Sequence, residues 1–154
     1  MKLLFPGSFD PFTVGHADLV ERALQLGAEV VIAIGINEEK NPMLSTDARM
    51  QAIRSYYASN PRVSVVAYDG LTVDAVREQG CDAILRGIRS VADYDKERGL
   101  AMANRTIEGV ETVILVSEES MQHVSSSLVR EMYSFGRRVD SLIIDTFKPY
   151  FPEK

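Results

Sequence analysis

The residues of this chain best suited to chemistry carry positive charge or hydroxyls, and they cluster in a few short stretches. One stretch, Pro6-Gly7-Ser8-Phe9-Asp10-Pro11-Phe12-Thr13-Val14-Gly15-His16, turns through Pro6-Gly7 and enters a helix near Gly15-His16. Free backbone N–H groups at a helix start attract anions, and small residues let a phosphate come close. A histidine in the first turn can donate a hydrogen bond to a phosphoryl oxygen, and the helix dipole there disfavours its charged form. The same position also reads as a helix cap. Asp10-Pro11 reads as a turn device, outside the chemistry. Arg86 and Arg89 flank Gly87 just past a short apolar run, where an unpaired guanidinium is costly and where its fork matches phosphate. Ion pairs with Asp93 or Glu97 are the alternative. Ser125-Ser126-Ser127 resembles a helix N-cap with hydroxyls to spare, and Lys40 lies in the polar loop Asn37–Pro42.

What is missing narrows the chemistry. There is no Gly-Lys-Ser/Thr phosphate loop, no Gly-x-Gly-x-x-Gly fingerprint and no Gly-x-Ser-x-Gly elbow. His123 is the only other histidine, which argues against a histidine-rich metal site. Cys81 stands alone, so it reads as a packing residue in a reducing compartment. Cations, hydroxyls and helix starts can hold phosphates and stabilise charge, but they offer little covalent machinery.

Elements must bring these stretches together. Lys2–Phe5, Glu29–Ile36, Arg62–Ala67, Asp82–Leu85 and Glu111–Val116 read as buried strands, near-continuously apolar and often β-branched. Helical spacing marks Gly15–Leu26, Asp47–Ala58, Thr72–Gln79, Asp93–Arg105, a segment beginning near Ser126, and Asp140–Tyr150. Strand and helix alternate throughout. The expectation is an α/β fold, a doubly wound five-stranded parallel sheet with helices on both faces. Ligands of such sheets bind beyond the carboxyl ends of the strands, which is where the chemical stretches fall.

Composition sets outer limits. The 154 residues are 45% apolar and 25% charged, which excludes a disordered or fibrous chain, and they show no repeat or linker, so one domain over 1–154 is expected. Net charge is −5, from 17 Lys+Arg and 22 Asp+Glu. A nucleic-acid partner is therefore not expected, because phosphate neutralisation wants a basic surface. The start lacks a signal peptide's long apolar run, and the longest apolar stretch, Val30–Ile36, is far too short for a bilayer. The expected setting is cytoplasmic, with no membrane partner.

With these residues in view, a family is recognisable. Pro6-Gly7-Ser8-Phe9-Asp10-Pro11 followed by Thr13-Val14-Gly15-His16 resembles the (H/T)-x-G-H motif of nucleotidyltransferases. Arg86-Gly87-Ile88-Arg89-Ser90-Val91-Ala92-Asp93-Tyr94 and Val124-Ser125-Ser126-Ser127-Leu128-Val129-Arg130 resemble two further hallmarks of bacterial phosphopantetheine adenylyltransferases. Similarity runs in register from about Lys2 to Phe135. The resemblance implies a Rossmann-like nucleotidyltransferase fold and transfer of adenylyl from ATP to 4′-phosphopantetheine, yielding dephospho-coenzyme A and pyrophosphate. It implies that His16 steadies the transferring phosphate. Ser8 and Phe9 would contact ATP, with Ser8 also reaching the acceptor phosphate. Lys40, Thr72 and Arg86 would bind phosphopantetheine. Gly87, Ile88, Arg89 and Glu97 would bind ATP, together with Met121, Gln122, His123, Val124, Ser125, Ser126 and Ser127. It further implies magnesium, arriving with ATP and without a protein metal site, and a homohexamer. Met121-Gln122-His123 departs from the family's usual aromatic-containing triplet, and the chain after Phe135 departs from its usual pairs.

The implied chemistry suits the inventory. A phosphate monoester is already mostly dianionic at neutral pH, so it needs no general base. The obstacle is repulsion between two polyanions, which cations and helix termini relieve by positioning and electrostatics. A sister nucleotidyltransferase acting on nicotinamide mononucleotide or glycerol 3-phosphate would share the His16 region but is not expected to share the Arg86–Tyr94 string. A nucleotide-binding module without activity would be expected to lack His16, Lys40 or Arg86.

Overall fold

Five apolar strands pair into one parallel sheet in the order β3-β2-β1-β4-β5. The structure, a computed structural model, describes residues 1–36 and 41–152. The strands are β1 (Lys2–Gly7), β2 (Glu29–Gly35), β3 (Val63–Tyr68), β4 (Ala83–Ile88) and β5 (Glu111–Val116), and the helices are α1 (Val14–Gln25), α2 (Thr46–Tyr56), α3 (Thr72–Glu78), α4 (Val91–Glu108) and α5 (Ser126–Ser134). Alternate side chains of each strand leave opposite faces. Leu3, Phe5, Ile32, Ile34 and Leu85 meet α1, α2, α5 and the C-terminal segment, while Leu4, Val31, Ala33 and Ile84 meet α3. The doubly wound reading therefore holds.

The chain winds outward from β1 through β2 to β3, then crosses back to β4 beside β1. Neighbouring strands reverse their winding there, and such a switch point opens a crevice at the strands' carboxyl ends. Pro6 deepens it. The β1–β4 ladder runs only through Leu3↔Ala83 and Leu4↔Ile84, whereas β1 follows β2 as far as Gly7. Proline has no N–H to give to β4, and its carbonyl instead accepts from Arg86 Nη1 at 3.1 Å.

Two expectations change. β4 extends to Ile88, so Arg86 and Gly87 lie within the strand, paired with Ile114 and Leu115 of β5, and not beyond it. The expected helix over Asp140–Tyr150 is replaced by a turn over 140–142, a single bridge residue at Ile143 and a 3-10 helix at Asp145–Tyr150. There Leu142 accepts from the Val14 N–H at 3.0 Å and Ile143 bridges Thr13. Tertiary pairing with the start of α1 takes the backbone that an isolated helix would have used, and Pro149 denies it a late donor.

Candidate active site

The start of α1 is built around a reciprocal cap. Thr13 is the buried N-cap; its Oγ1 accepts from the His16 backbone N–H at 3.3 Å, and its own backbone N–H donates to His16 Nδ1 at 3.0 Å. A backbone N–H can only donate, so Nδ1 is the acceptor and the ring proton resides on Nε2. The capping reading and the chemical reading thus describe one arrangement: the cap fixes the tautomer that leaves an N–H donor free. Phe9, Phe12 and Phe5 surround the imidazole, with ring centroids 5.1, 5.2 and 6.1 Å away. Desolvation among these rings, then the charges of Arg89 and Arg86, lower the His16 pKa from 6.5 to about 4. At neutral pH His16 is an uncharged donor, not a base.

Backbone geometry makes the ring cluster possible. Phe9 has a left-handed φ of 49°, unusual for a bulky residue, and folds its ring back over Gly7. A Cβ on Gly7 would lie 2.7 Å from that ring, so only glycine fits. The Asp10–Pro11 peptide is cis, and the buried Asp10 carboxylate accepts from the backbone N–H groups of Met43 and Leu44 at 2.7 and 2.9 Å. Asp10-Pro11 thus forms the expected turn, and the Asp10 carboxylate in addition ties it to the segment before α2.

Across the crevice, Arg86 lies fork-on against Glu97, with Nε to Oε2 at 2.7 Å and Nη2 to Oε1 at 2.6 Å. Glu97 is the one buried residue of α4. Arg89 meets Asp93, its Nε at 3.3 Å and its backbone N–H at 3.0 Å, and reaches the Val124 carbonyl at 3.4 Å. Both ion pairs weighed from the sequence are present. They aim the guanidinium groups without burying them fully: the side chains of Arg86 and Arg89 remain 30% and 40% exposed.

A cavity of about 320 Å³ lies between these walls, lined by Ser8, Phe9, His16, Arg86, Gly87, Arg89, Glu97, Met121, Val124, Ser125 and Ser126 among others. Most of the sequence-selected residues thus share one space. Thr72 does not; it walls a second cavity of about 420 Å³ with Ser8, Arg86, Tyr68, Arg49 and Arg130. A third, apolar groove of about 350 Å³ runs between α3 and α4 and shares Pro6, Thr72 and Arg86 with the second. Ile88 lies outside all three spaces, Gln122 and His123 are exposed, and Lys40 falls outside the described residues. The serine run divides its work. Ser125 Oγ caps α5 by accepting from the Leu128 N–H, Ser126 Oγ donates to the Pro11 carbonyl, and the exposed Ser127 accepts from Arg130. Ser126 has therefore spent its donor inside the protein.

Arg49 and Arg130 were not selected from the sequence. Arg130 Nη1 donates to the Asp10 carbonyl at 2.7 Å, and Arg49, only 3% exposed, donates to the Ser8 carbonyl and to Thr46 Oγ1. One signal was available: Arg49, Ala52 and Ile53 form the buried stripe of α2, so an arginine occupies an apolar position.

A parallel sheet whose switch point holds cations, a neutral histidine donor and two capped helix starts has the site of a nucleotide-handling transferase. The cytidylyltransferase-like family model matches residues 4–132. A phosphopantetheine adenylyltransferase of Porphyromonas gingivalis is 52% identical over 94% of this chain and 94% of its own length, and one of Phocaeicola vulgatus is 43% identical over 99% and 95%. Among solved structures, a bifunctional NMN adenylyltransferase/ADP ribose pyrophosphatase from Francisella tularensis superposes with a TM-score of 0.65 at 17% identity, covering 92% of this chain and 44% of that one, a likeness of fold. This chain belongs to the cytidylyltransferase-like family and, within it, to the phosphopantetheine adenylyltransferases.

Proposed function

We propose that this chain transfers the adenylyl group of ATP to 4′-phosphopantetheine, giving dephospho-coenzyme A and pyrophosphate in coenzyme A synthesis. The observation that carries the mechanism is the neutral, Nε2-protonated His16 facing two oriented arginines across the β1–β4 crevice. ATP occupies the His16–Arg89 cavity, and the acceptor phosphate enters from the Thr72–Arg130 cavity, with Arg86 on the shared wall. The acceptor's thiol-bearing arm follows the apolar groove that begins at Thr72 and Arg86.

An oxygen of the acceptor phosphate attacks the α-phosphorus; that P–O bond forms as the α–β bridge breaks and pyrophosphate departs in line. No proton must be removed, since the phosphate is mostly dianionic. His16 donates from Nε2 to an α-phosphoryl oxygen as charge builds, and the arginines hold the two polyanions at reacting distance. Lys40 would add charge on the acceptor side. Gly87, Met121, Val124, Ser125 and Ser126 form the nucleotide wall, with Glu97 acting through Arg86, while Ile88, Gln122, His123 and Ser127 lie outside that cavity.

Magnesium would come with ATP as its chelate and would supply charge on the phosphates, because it prefers phosphate oxygens and retained water. Among the described residues no group of three or more His, Cys, Asp or Glu could hold an ion by itself. The proposed assembly is a homohexamer acting in the cytoplasm. Among the described residues no helix is long and apolar enough to cross a membrane. Incubation with ATP, magnesium and each of phosphopantetheine, pantetheine, nicotinamide mononucleotide and glycerol 3-phosphate tests the reading. Pyrophosphate should appear only with phosphopantetheine, and comparable turnover with either of the last two would transfer the chain to a sister activity.

A further inference from the structure

Thr72 walls both the second cavity and the apolar groove, which share it with Pro6 and Arg86. Its hydroxyl is not used to cap α3, whose N-cap, Leu71, makes no side-chain bond. Thr72 Oγ1 lies instead 3.0 Å from Tyr68 Oη. Tyr68 ends β3 in register with Gly35 of β2, and its ring lies over that glycine. Even a Cβ at Gly35 would touch the phenol oxygen at 3.5 Å, so a larger side chain would compete for the ring's place.

Two hydroxyls that share one hydrogen bond own two protons. Whichever group donates within the pair, the other O–H remains to donate outward, and acceptor lone pairs remain as well. The pair therefore suits an uncharged ligand group that both gives and takes hydrogen bonds. The acceptor has such groups next to its phosphate, a hydroxyl and then an amide, whereas the phosphate itself calls for the guanidinium fork of Arg86.

We propose that Tyr68 is a positioning residue for the acceptor: it holds Thr72 Oγ1 so that the hydroxyl pair binds the neutral hydroxyl–amide segment between the acceptor's phosphate and its thiol arm. This rests on the adenylyl-transfer reading and adds a specificity determinant to it. The pair discriminates acceptors by their neutral segment, not by charge.

The test is steady-state kinetics on Tyr68→Phe, which removes one oxygen and keeps the ring. The KM for phosphopantetheine should rise about three- to tenfold, the range of one neutral hydrogen bond, while kcat, the KM for ATP and the melting temperature stay unchanged. Thr72→Val should act in the same direction, Thr72→Ser should restore most of the affinity, and the Tyr68→Phe/Thr72→Val double variant should be little worse than Thr72→Val alone, because the hydroxyls act as a unit. An unchanged phosphopantetheine KM in Tyr68→Phe overturns the proposal, as does an equal rise in both KM values, which marks general distortion. Failure of the underlying reading looks different: the unsubstituted protein would release no pyrophosphate with phosphopantetheine at all.

Discussion

At the scale of single residues, the site turns on how one histidine is held. Because Nδ1 is committed to the Thr13 N–H, His16 presents Nε2–H at neutral pH and works as a donor to developing charge. His16→Ala should lower kcat by roughly 10²–10³-fold with little change in ATP affinity, as for loss of one oxyanion-type donor; an unaltered kcat would return His16 to capping alone. The lowered pKa also affects stability. The unfolded chain takes up a proton near 6.5, and the folded site refuses it until about 4. Between those values unfolding gains a proton, so His16's contribution is complete above pH 6.5 and is lost as pH falls toward 4, on the order of 2–3 kcal/mol. Glutamine can replace the acceptor of a capping box without titrating. Urea unfolding of His16→Gln should accordingly show a flatter stability slope between pH 4 and 6.5 than the parent, and a retained slope would assign it to other groups. The two arginines divide by the cavities they wall: Arg89 borders the His16 cavity, and Arg86 borders that one and the acceptor side as well. Calorimetric titration should find Arg89→Ala weaker for ATP and Arg86→Ala weaker chiefly for phosphopantetheine, each by roughly ten- to two-hundredfold. Loss of the same single ligand by both would refute this division.

At the scale of elements, the site depends on how closely α1 lies on β4. Gly87 sits between the two arginines, and a Cβ there would come 2.3 Å from Leu19 Cδ1 and within 3.3 Å of Cγ. Leu19 is buried, so rotating one methyl away does not relieve the overlap. Gly87→Ala should cost about 1–3 kcal/mol as overpacking, and activity should fall with it because α1 carries His16. Adding Leu19→Ala should recover activity in part, measurable as pyrophosphate release; a Gly87→Ala protein with parental stability and rate would show that α1 has room to move. The sequence marked α1 to within a residue of its start and found most of its apolar stripe, since Leu19, Val20, Ala23 and Leu24 recur at helical spacing, whereas Leu26, at the same spacing, falls past the helix end and is exposed. It misjudged the end of β4, because Arg86 and Gly87 look like loop residues until β5 is seen to pair with them. The last helix was misread for a related reason. Leu142, Ile143 and Phe147 keep helical spacing, yet the backbone around Ile143 pairs with Thr13 across most of the chain's length.

At the scale of the whole molecule, α4 is the anomaly. It is eighteen residues long and buries only Glu97, while Val91, Tyr94, Leu100, Met102 and Ile107 stay substantially exposed. Leu100 and Ile107 line the groove, but Val91, Tyr94 and Met102 do not. Apolar surface of this kind fits an assembly that covers it, as the proposed hexamer would. Light scattering should give about six times the chain mass, and Met102→Glu should lower that mass by placing a charge in the contact. A monomeric parent, or a variant with undiminished mass, would rule out this role for α4.

What the sequence determined by itself is local and compositional. Apolar runs and helical spacing specify the alternation of strand and helix, because burial on two faces or one stripe needs those periods. The motif around His16, the Arg86–Tyr94 string and the serine run carry the family, because they are short and continuous in the chain. Only the tertiary structure decided what each residue does with its neighbours. Whether Arg86 faces Glu97, whether Ser126 spends its proton on Pro11, whether His16 keeps Nε2–H, and that Tyr68 reaches Thr72 depend on atoms brought together by folding. Arg49 shows the same division: the sequence displays an arginine on an apolar stripe, but only the folded chain supplies the Ser8 carbonyl that accounts for it. Hydrogen bonds act over about 3 Å, and no pattern along the chain fixes which groups come that close.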